Sequence, residues 1–263
     1  MRSCRGSLFG SGCWVVVASL LIGFPLTMTA QEELLADVGA SCKAVLPYAE
    51  RGDPAAQFIL GTLLSKTRDR NRNVPEAVKW YEKSANQGLA KAQFALAEIY
   101  YQGTDVPENY QEAIKWYQAA ARQEFPKAEV ALGTLFKEGK AIAKNLAHAA
   151  HWYGRAARRG EVVAQVNMGD FYAAGLAGLP QDKVEAYKWY VLAAGQGDER
   201  AIEQRDALRG QMTTPQILDS QAKAASLSDL PVRLNPRLQQ QDADIQKRVN
   251  EFETMLAAGP PAL

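Results

Sequence analysis

Two histidines, three cysteines and a recurring aromatic pair are the residues of this 263-residue chain whose types could do chemistry. His148 and His151 stand three apart, which on a helix puts both imidazoles on one face, where they could share a metal ion. Two ligands without a carboxylate or thiol companion are too few, so no metal site is expected. Cys42 falls in the helical apolar spacing Leu34, Leu35, Val38, Cys42, Val45 and Leu46, with only Lys43 as a nearby cation, and reads as a small buried hydrophobe. Trp-Tyr pairs could stack on sugar faces, but here they recur beside alanines that need burial, which makes them core. There is no signature of a nucleophile with its base, a paired carboxylate or a phosphate loop. The expectation is a chain with no catalytic residues and no cofactor.

The elements that carry these residues repeat. Lys79-Trp80-Tyr81, Lys115-Trp116-Tyr117, His151-Trp152-Tyr153 and Lys188-Trp189-Tyr190 are 36, 36 and 37 residues apart. The same frame aligns Ala56, Ala92, Ala128 and Ala164, then Leu60, Leu96, Leu132 and Met168, then Gly61, Ala97, Gly133 and Gly169. His148 and His151 take the places held by Glu112 and Lys115 one unit earlier, a mark of an exposed outer face.

Each unit reads as two helices. The first places large and small apolar residues on one face and stops at Gly103, Gly139 or Gly175, where a residue able to take positive φ ends a helix. The second helix starts at Asn73, Asn109, Asn145 and Asp182, followed three residues later by Glu76, Glu112, His148 and Glu185. Three of these four have the form of a capping box, with Glu expected to bond back to the cap. Ala77, Ala113, Ala149 and Ala186 and the later alanine pairs leave room for close helix packing.

A two-helix unit of this size cannot bury its own core, so the units must stack. The string Ala-x-x-x-Leu-Gly-x-Leu-Tyr, then Gly, then Asn or Asp, then Ala-x-x-Trp-Tyr-x-x-Ala-Ala-x-x-Gly runs through Ala92 to Gly103 and Asn109 to Ala121. It returns at Ala164 to Gly175 and Asp182 to Gly197. This pattern resembles the Sel1-like repeat, a tetratricopeptide-like family, over about residues 46 to 212. The departures, Glu124-Phe125-Pro126 and one extra residue between Gly175 and Asp182, fall at turns. The resemblance implies an all-α, right-handed α-solenoid that binds a protein or peptide on the concave surface lined by its first helices. The residues it nominates for that groove are Phe58, Thr62, Lys91, Phe94, Glu98, Tyr101, Lys127, Val130, Thr134, Lys137, Val166 and Asp170. Phe58, Phe94, Val130 and Val166 have an alternative place, buried between repeats.

Flanking segments complete the plan. Residues 1–30 have Arg2 and Arg5 ahead of an apolar run from Trp14 to Leu26 and small residues up to Ala30, the order of a secretory signal. An uncleaved signal would instead anchor the chain in a membrane. Cleavage after Ala30 removes Cys4 and Cys13 and leaves Cys42 alone, so no intramolecular disulfide could form. Export to the periplasm or beyond is the expectation. Residues 31–52 supply an N-terminal half repeat, 53–212 the four repeats and the start of a capping repeat, and 213–229 a capping helix, starting with Thr214 as cap and Pro215, that leads into a linker. Residues 230–263 form a tail whose Leu238, Ile245, Val249, Phe252 and Leu256 make a narrow seam on one helix. That helix docks on the chain's own groove, on another chain, or stays loosely packed.

Thirty basic against 29 acidic residues give a formal charge of +1, which excludes a general field for nucleic acid or anionic membranes. Together these features predict an exported, non-enzymatic scaffold for a polypeptide partner in envelope assembly or signalling. A cell-wall hydrolase and a self-associating structural protein are the alternatives.

Overall fold

The computed structural model describes residues 41–66, 73–140, 142–228 and 235–258. The expected secretory signal of residues 1–30 lies outside them. Among the described residues every regular element is a helix: α1 (41–50), α2 (Pro54–Lys66), α3 (Val74–Asn86), α4 (Ala90–Gln102), α5 (Tyr110–Arg122), α6 (Pro126–Glu138), α7 (Leu146–Arg158), α8 (Val162–Ala174), α9 (Lys183–Gly195), α10 (Glu199–Arg209), α11 (Thr214–Ser228) and α12 (Pro236–Ala258). The fold is all-α, of the α-solenoid class, with α2 packed on α3, α6 on α7 and α8 on α9. None of the described helices is long and apolar enough to cross a membrane.

The frame alanines are the closest-packed points. Ala56, Ala92, Ala128 and Ala164 on first helices, and Ala77, Ala113, Ala149 and Ala186 on second helices, are all fully buried. Leu60, Leu96, Leu132 and Met168 are buried with them. The tyrosine of each Trp-Tyr pair, Tyr81, Tyr117, Tyr153 and Tyr190, lies at 1–2% exposure, which makes these rings the anchor of each unit. Their seat explains the neighbouring glycine. A Cβ built on Gly133 would lie 2.7 Å from the Tyr153 ring, and one on Gly61 would lie 2.9 Å from Tyr81.

Local chemistry sets the helix ends. Gly103, Gly139 and Gly175 close α4, α6 and α8 in the left-handed region at φ of 61, 79 and 64°, each amide returning to the carbonyl four residues back. Asn73 and Asn145 cap α3 and α7 by accepting from the amides of Glu76 and His148, and Asp182 caps α9 from Val184 and Glu185.

The reciprocal half of the expected capping boxes is replaced. The amides of Asn73, Asn145 and Asp182 donate to the carbonyls of Leu64, Phe136 and Tyr172, tying α3, α7 and α9 to the first helix before each, and the Asn109 amide donates to the Tyr100 carbonyl. With that amide already used, Glu76 and Glu112 turn to Lys79 and Lys115, each ion pair 2.9 Å long, and Glu185 turns to Lys188. A true reciprocal contact stands at α11, where the Gln216 Oε1 accepts from the Thr213 amide at 2.9 Å. Thr213, not Thr214, is therefore the residue outside that helix.

The described chain divides into two compact units. One joins α1 to α4 with α12, and the other runs from α5 to α11. The tail is thus not a loose appendage: Leu238, Ile245, Val249 and Phe252 are buried, at 6, 5, 3 and 2% exposure, in the unit of the N-terminal repeats. The side chain of Leu256 lies outside the described residues. Cys42 is half-buried instead of enclosed, because Val45 and Ala49 take the inward face of α1.

Candidate surface on the first helices

In the N-terminal unit, α2 and α4 carry Phe58, Thr62, Lys91, Phe94, Glu98 and Tyr101. Phe58 and Thr62 are buried, at 8 and 2% exposure, and have no surface to offer a partner. Phe58 packs on the Tyr81 ring at 5.8 Å between centroids. Thr62 accepts the Tyr81 hydroxyl proton at 3.1 Å and gives its own to the Phe58 carbonyl. Lys91 pairs with Asp242 of α12 at 2.9 Å, so the tail already occupies it. Phe94, Glu98 and Tyr101 are half-buried and face outward in part.

In the second unit, α6 and α8 carry Lys127, Val130, Thr134, Lys137, Val166 and Asp170. Val166 is buried at 4% exposure, packed with Ala193 and Ala201. Thr134 shares a proton with the Tyr153 hydroxyl at 2.9 Å, and Asp170 accepts from the Tyr190 hydroxyl at 2.9 Å. The place held by Thr62, Thr134 and Asp170 is therefore a clasp for the tyrosine hydroxyl of the same repeat. Burial raises the pKa of Tyr81, Tyr153 and Tyr190, so these phenols stay protonated donors. Two further links run between successive first helices: Lys137 Nζ to Asn167 Oδ1 at 2.6 Å, and Arg200 to Asp170 at 2.6 Å. Lys127 is exposed and Val130 half-buried.

The surface left for a partner is thus narrower than the frame suggests. Phe94, Glu98 and Tyr101 keep part of their surface on α4, and Lys127, Val130 and Lys137 keep part of theirs on α6. Second helices offer a different character: each tryptophan carries a cation over its ring, with Lys83 3.8 Å from Trp80 and Lys188 4.6 Å from Trp189. His148 and His151 lie on that exposed side, His148 tilted against Phe136 at 5.1 Å and His151 edge-on to Trp152 at 5.3 Å between ring centroids. Among the described residues, no group of three or more metal-ligating side chains comes together.

A cavity of about 540 Å³ opens between α7, α8, α9 and α11, lined by Arg158, Gln165, Val191, Leu192, Gln196 and Leu227 among others. Its polar side chains are a guanidinium and carboxamides.

One polar cluster escaped the frame reading. Gln57 and Gln165 donate to the carbonyls of Ala49 and Ala157 and accept from Gln87 and Gln196, so each joins consecutive repeats. Glu129 takes this place in the third repeat, with Arg159 where the glutamines stand. Its carboxylate is fully buried between Arg155 at 2.9 Å and Arg159 at 3.1 Å. Arg155 also supplies the Ala121 carbonyl, which a carboxylate cannot serve. Burial pushes the Glu129 carboxyl up to about 7, against the pull of the Arg159 and Arg155 guanidiniums. Aligning 57, 93, 129 and 165 exposes the one charged member, so the signal was present in the sequence.

The family model described as Sel1 repeat matches residues 54–89, 90–125, 126–161 and 162–198, more than half of the chain. Among solved structures, a Sel1 repeat protein from Oxalobacter formigenes is 41% identical, over 57% of this chain and 62% of that one, with a TM-score of 0.54. A protective antigen of uropathogenic Escherichia coli that displays an SLR fold is 23% identical, over 90% of this chain and 56% of that one, with a TM-score of 0.45. The chain thus spans less than two thirds of the length of either relative. No curated protein matches.

Proposed function

This chain belongs to the Sel1 repeat family, and on that premise we propose that it is an exported scaffold that holds a polypeptide partner against its first helices. Proteins of this family generally mediate protein–protein interactions and are generally not enzymes. The observation that carries the reading here is the split between the two helix sets. In the N-terminal unit α4 leaves Phe94 and Tyr101 partly open, and in the second unit α6 leaves Val130 partly open beside exposed Lys127, while second helices present ion pairs and cation-covered tryptophans. Mixed apolar and charged side chains on each of these helices suit a peptide or helix better than a small metabolite. The scaffold acts by affinity and geometry, with no bond made or broken. Export rests on the order of charges and apolar residues in residues 1–30, and a place in envelope assembly or signalling rests on the family resemblance.

Site-specific photocrosslinking in the native host tests this reading. A crosslinker at Tyr101, Lys127 or Val130 is expected to trap one polypeptide from the envelope fraction, while one at exposed His151 traps none. Equal trapping from both helix sets would overturn the first-helix assignment.

A further inference from the structure

We propose that the turns of the N-terminal unit form a second, helix-binding site, and that α12 is its resident, displaceable occupant. This site is separate from the first-helix strip and does not depend on it. Its occupant is an amphipathic helix with a defined pattern: a carboxamide, then apolar residues four, eight and eleven positions on, with a guanidinium at the seventh. In α12 these are Gln241, Ile245, Val249, Phe252 and Arg248.

Each element of the pattern meets a feature built into the repeats. Leu89 stands at the N-cap of α4 and provides no side-chain acceptor, so the first amide of that helix lacks a local partner. Gln241 fills the gap with two bonds: its Oε1 accepts from the Ala90 amide at 3.1 Å, and its Nε2 donates to the Gly88 carbonyl at 3.1 Å. A turn with one donor and one acceptor turned outward is a receptor for a carboxamide on any helix, whichever chain carries it. One repeat earlier the turn reads charge. Asp53 caps α2 with Oδ1, accepting from the Ala56 amide at 2.9 Å, and keeps Oδ2 for Arg248 at 2.5 Å. The same guanidinium lies 5.6 Å from the centre of the Tyr48 ring, whose edge meets Phe252 at 5.2 Å. Ile245, Val249 and Phe252 supply the buried seam between these two polar readings.

The attachment suits exchange. Lys91 and Asp242 remain 35 and 52% exposed, so their ion pair is screened by salt and adds little holding power. What favours α12 over a foreign helix is its tether, which raises its effective concentration at the site. A partner helix with the same pattern competes once that advantage is offset by better packing.

The test uses the full chain and a fluorescent synthetic peptide of residues 236–258 as the probe. Wild-type protein is expected to bind it weakly, because the site is filled. In full-length protein carrying Ile245→Asp and Phe252→Asp, the resident seam is broken, and the peptide is expected to bind at least about tenfold more tightly. Full-length Arg248→Glu, a milder release, is expected to move affinity in the same direction and keeps the test valid should the double variant fail to fold. Adding Asp53→Arg to either release variant removes that gain. Peptide affinity that does not rise in folded release variants would overturn the proposal. So would light scattering that shows wild-type protein as a dimer that Arg248→Glu dissociates, since the occupant would then be a second copy.

Discussion

Arg159 Nη1 lies 3.1 Å from Glu129 Oε2, at a joint where other repeats place Gln87 on Gln57 at 2.8 Å and Gln196 on Gln165 at 3.0 Å. The chain has replaced a neutral carboxamide clasp with a buried ion pair at one position of an otherwise regular array. Arg155 and Arg159 keep 26 and 17% of their side-chain surface, while Glu129 keeps none, so the desolvation cost falls on the carboxylate.

That asymmetry predicts a pH dependence. The folded-state pKa of Glu129 is raised from 4.5 to about 7, so over that range the folded chain holds a proton that the unfolded chain has lost. The contribution of this group to stability is fully present below about pH 4.5 and falls as pH rises to about 7. Glu129→Gln, which restores the carboxamide of the other repeats, is expected to remove a slope on the order of 2 kcal/mol across that window. Urea unfolding at pH 5 and pH 8 measures it. Parallel losses in both proteins would contradict the assignment.

The tyrosine seat gives a second prediction. A methyl group on Gly133 would meet the Tyr153 ring at 2.7 Å, and that ring is locked by the Thr134 hydroxyl at 2.9 Å. Gly133→Ala is expected to cost about 1–3 kcal/mol through overpacking. Tyr153→Phe, which removes only the hydroxyl bond, is expected to cost about 1 kcal/mol. Thermal melts of the two variants rank them, and a reversed order would mean that the ring has somewhere to move.

Helix capping gives a third. Asn145→Ala removes the acceptor for the His148 amide and is expected to cost about 1 kcal/mol, while Asn145→Ser or Asn145→Asp restores most of it. Each of these variants keeps the backbone amide that ties α7 to the Phe136 carbonyl, so the series reads the side-chain cap alone. Denaturant midpoints read the series directly.

The fourth concerns the first helices. Phe94→Ala with Tyr101→Ala is expected to reduce partner binding at least about tenfold, while stability changes by less than 2 kcal/mol because both side chains are only half-buried. Isothermal titration with the partner trapped by crosslinking measures it. Unchanged affinity in a folded double variant would remove the strip around Phe94 from the binding surface.

The repeat frame, the helix pairs and the buried alanine, leucine and tyrosine positions were legible in the residues alone. Their causes are local: caps at Asn73, Asn145 and Asp182, left-handed stops at Gly103, Gly139 and Gly175, and a period that returns small residues to the same face. Periodicity does not record where a polar side chain finds its partner. Thr62, Thr134 and Asp170 look like groove residues in the frame, and packing turned them into clasps for Tyr81, Tyr153 and Tyr190. The seam of α12 was visible as a spacing, yet its destination depended on contacts about 150 residues away, such as Gln241 on Gly88. Such long-range pairings are decided by which amide or carboxylate is left unsatisfied once the local structure has formed, and only the tertiary structure specifies that remainder.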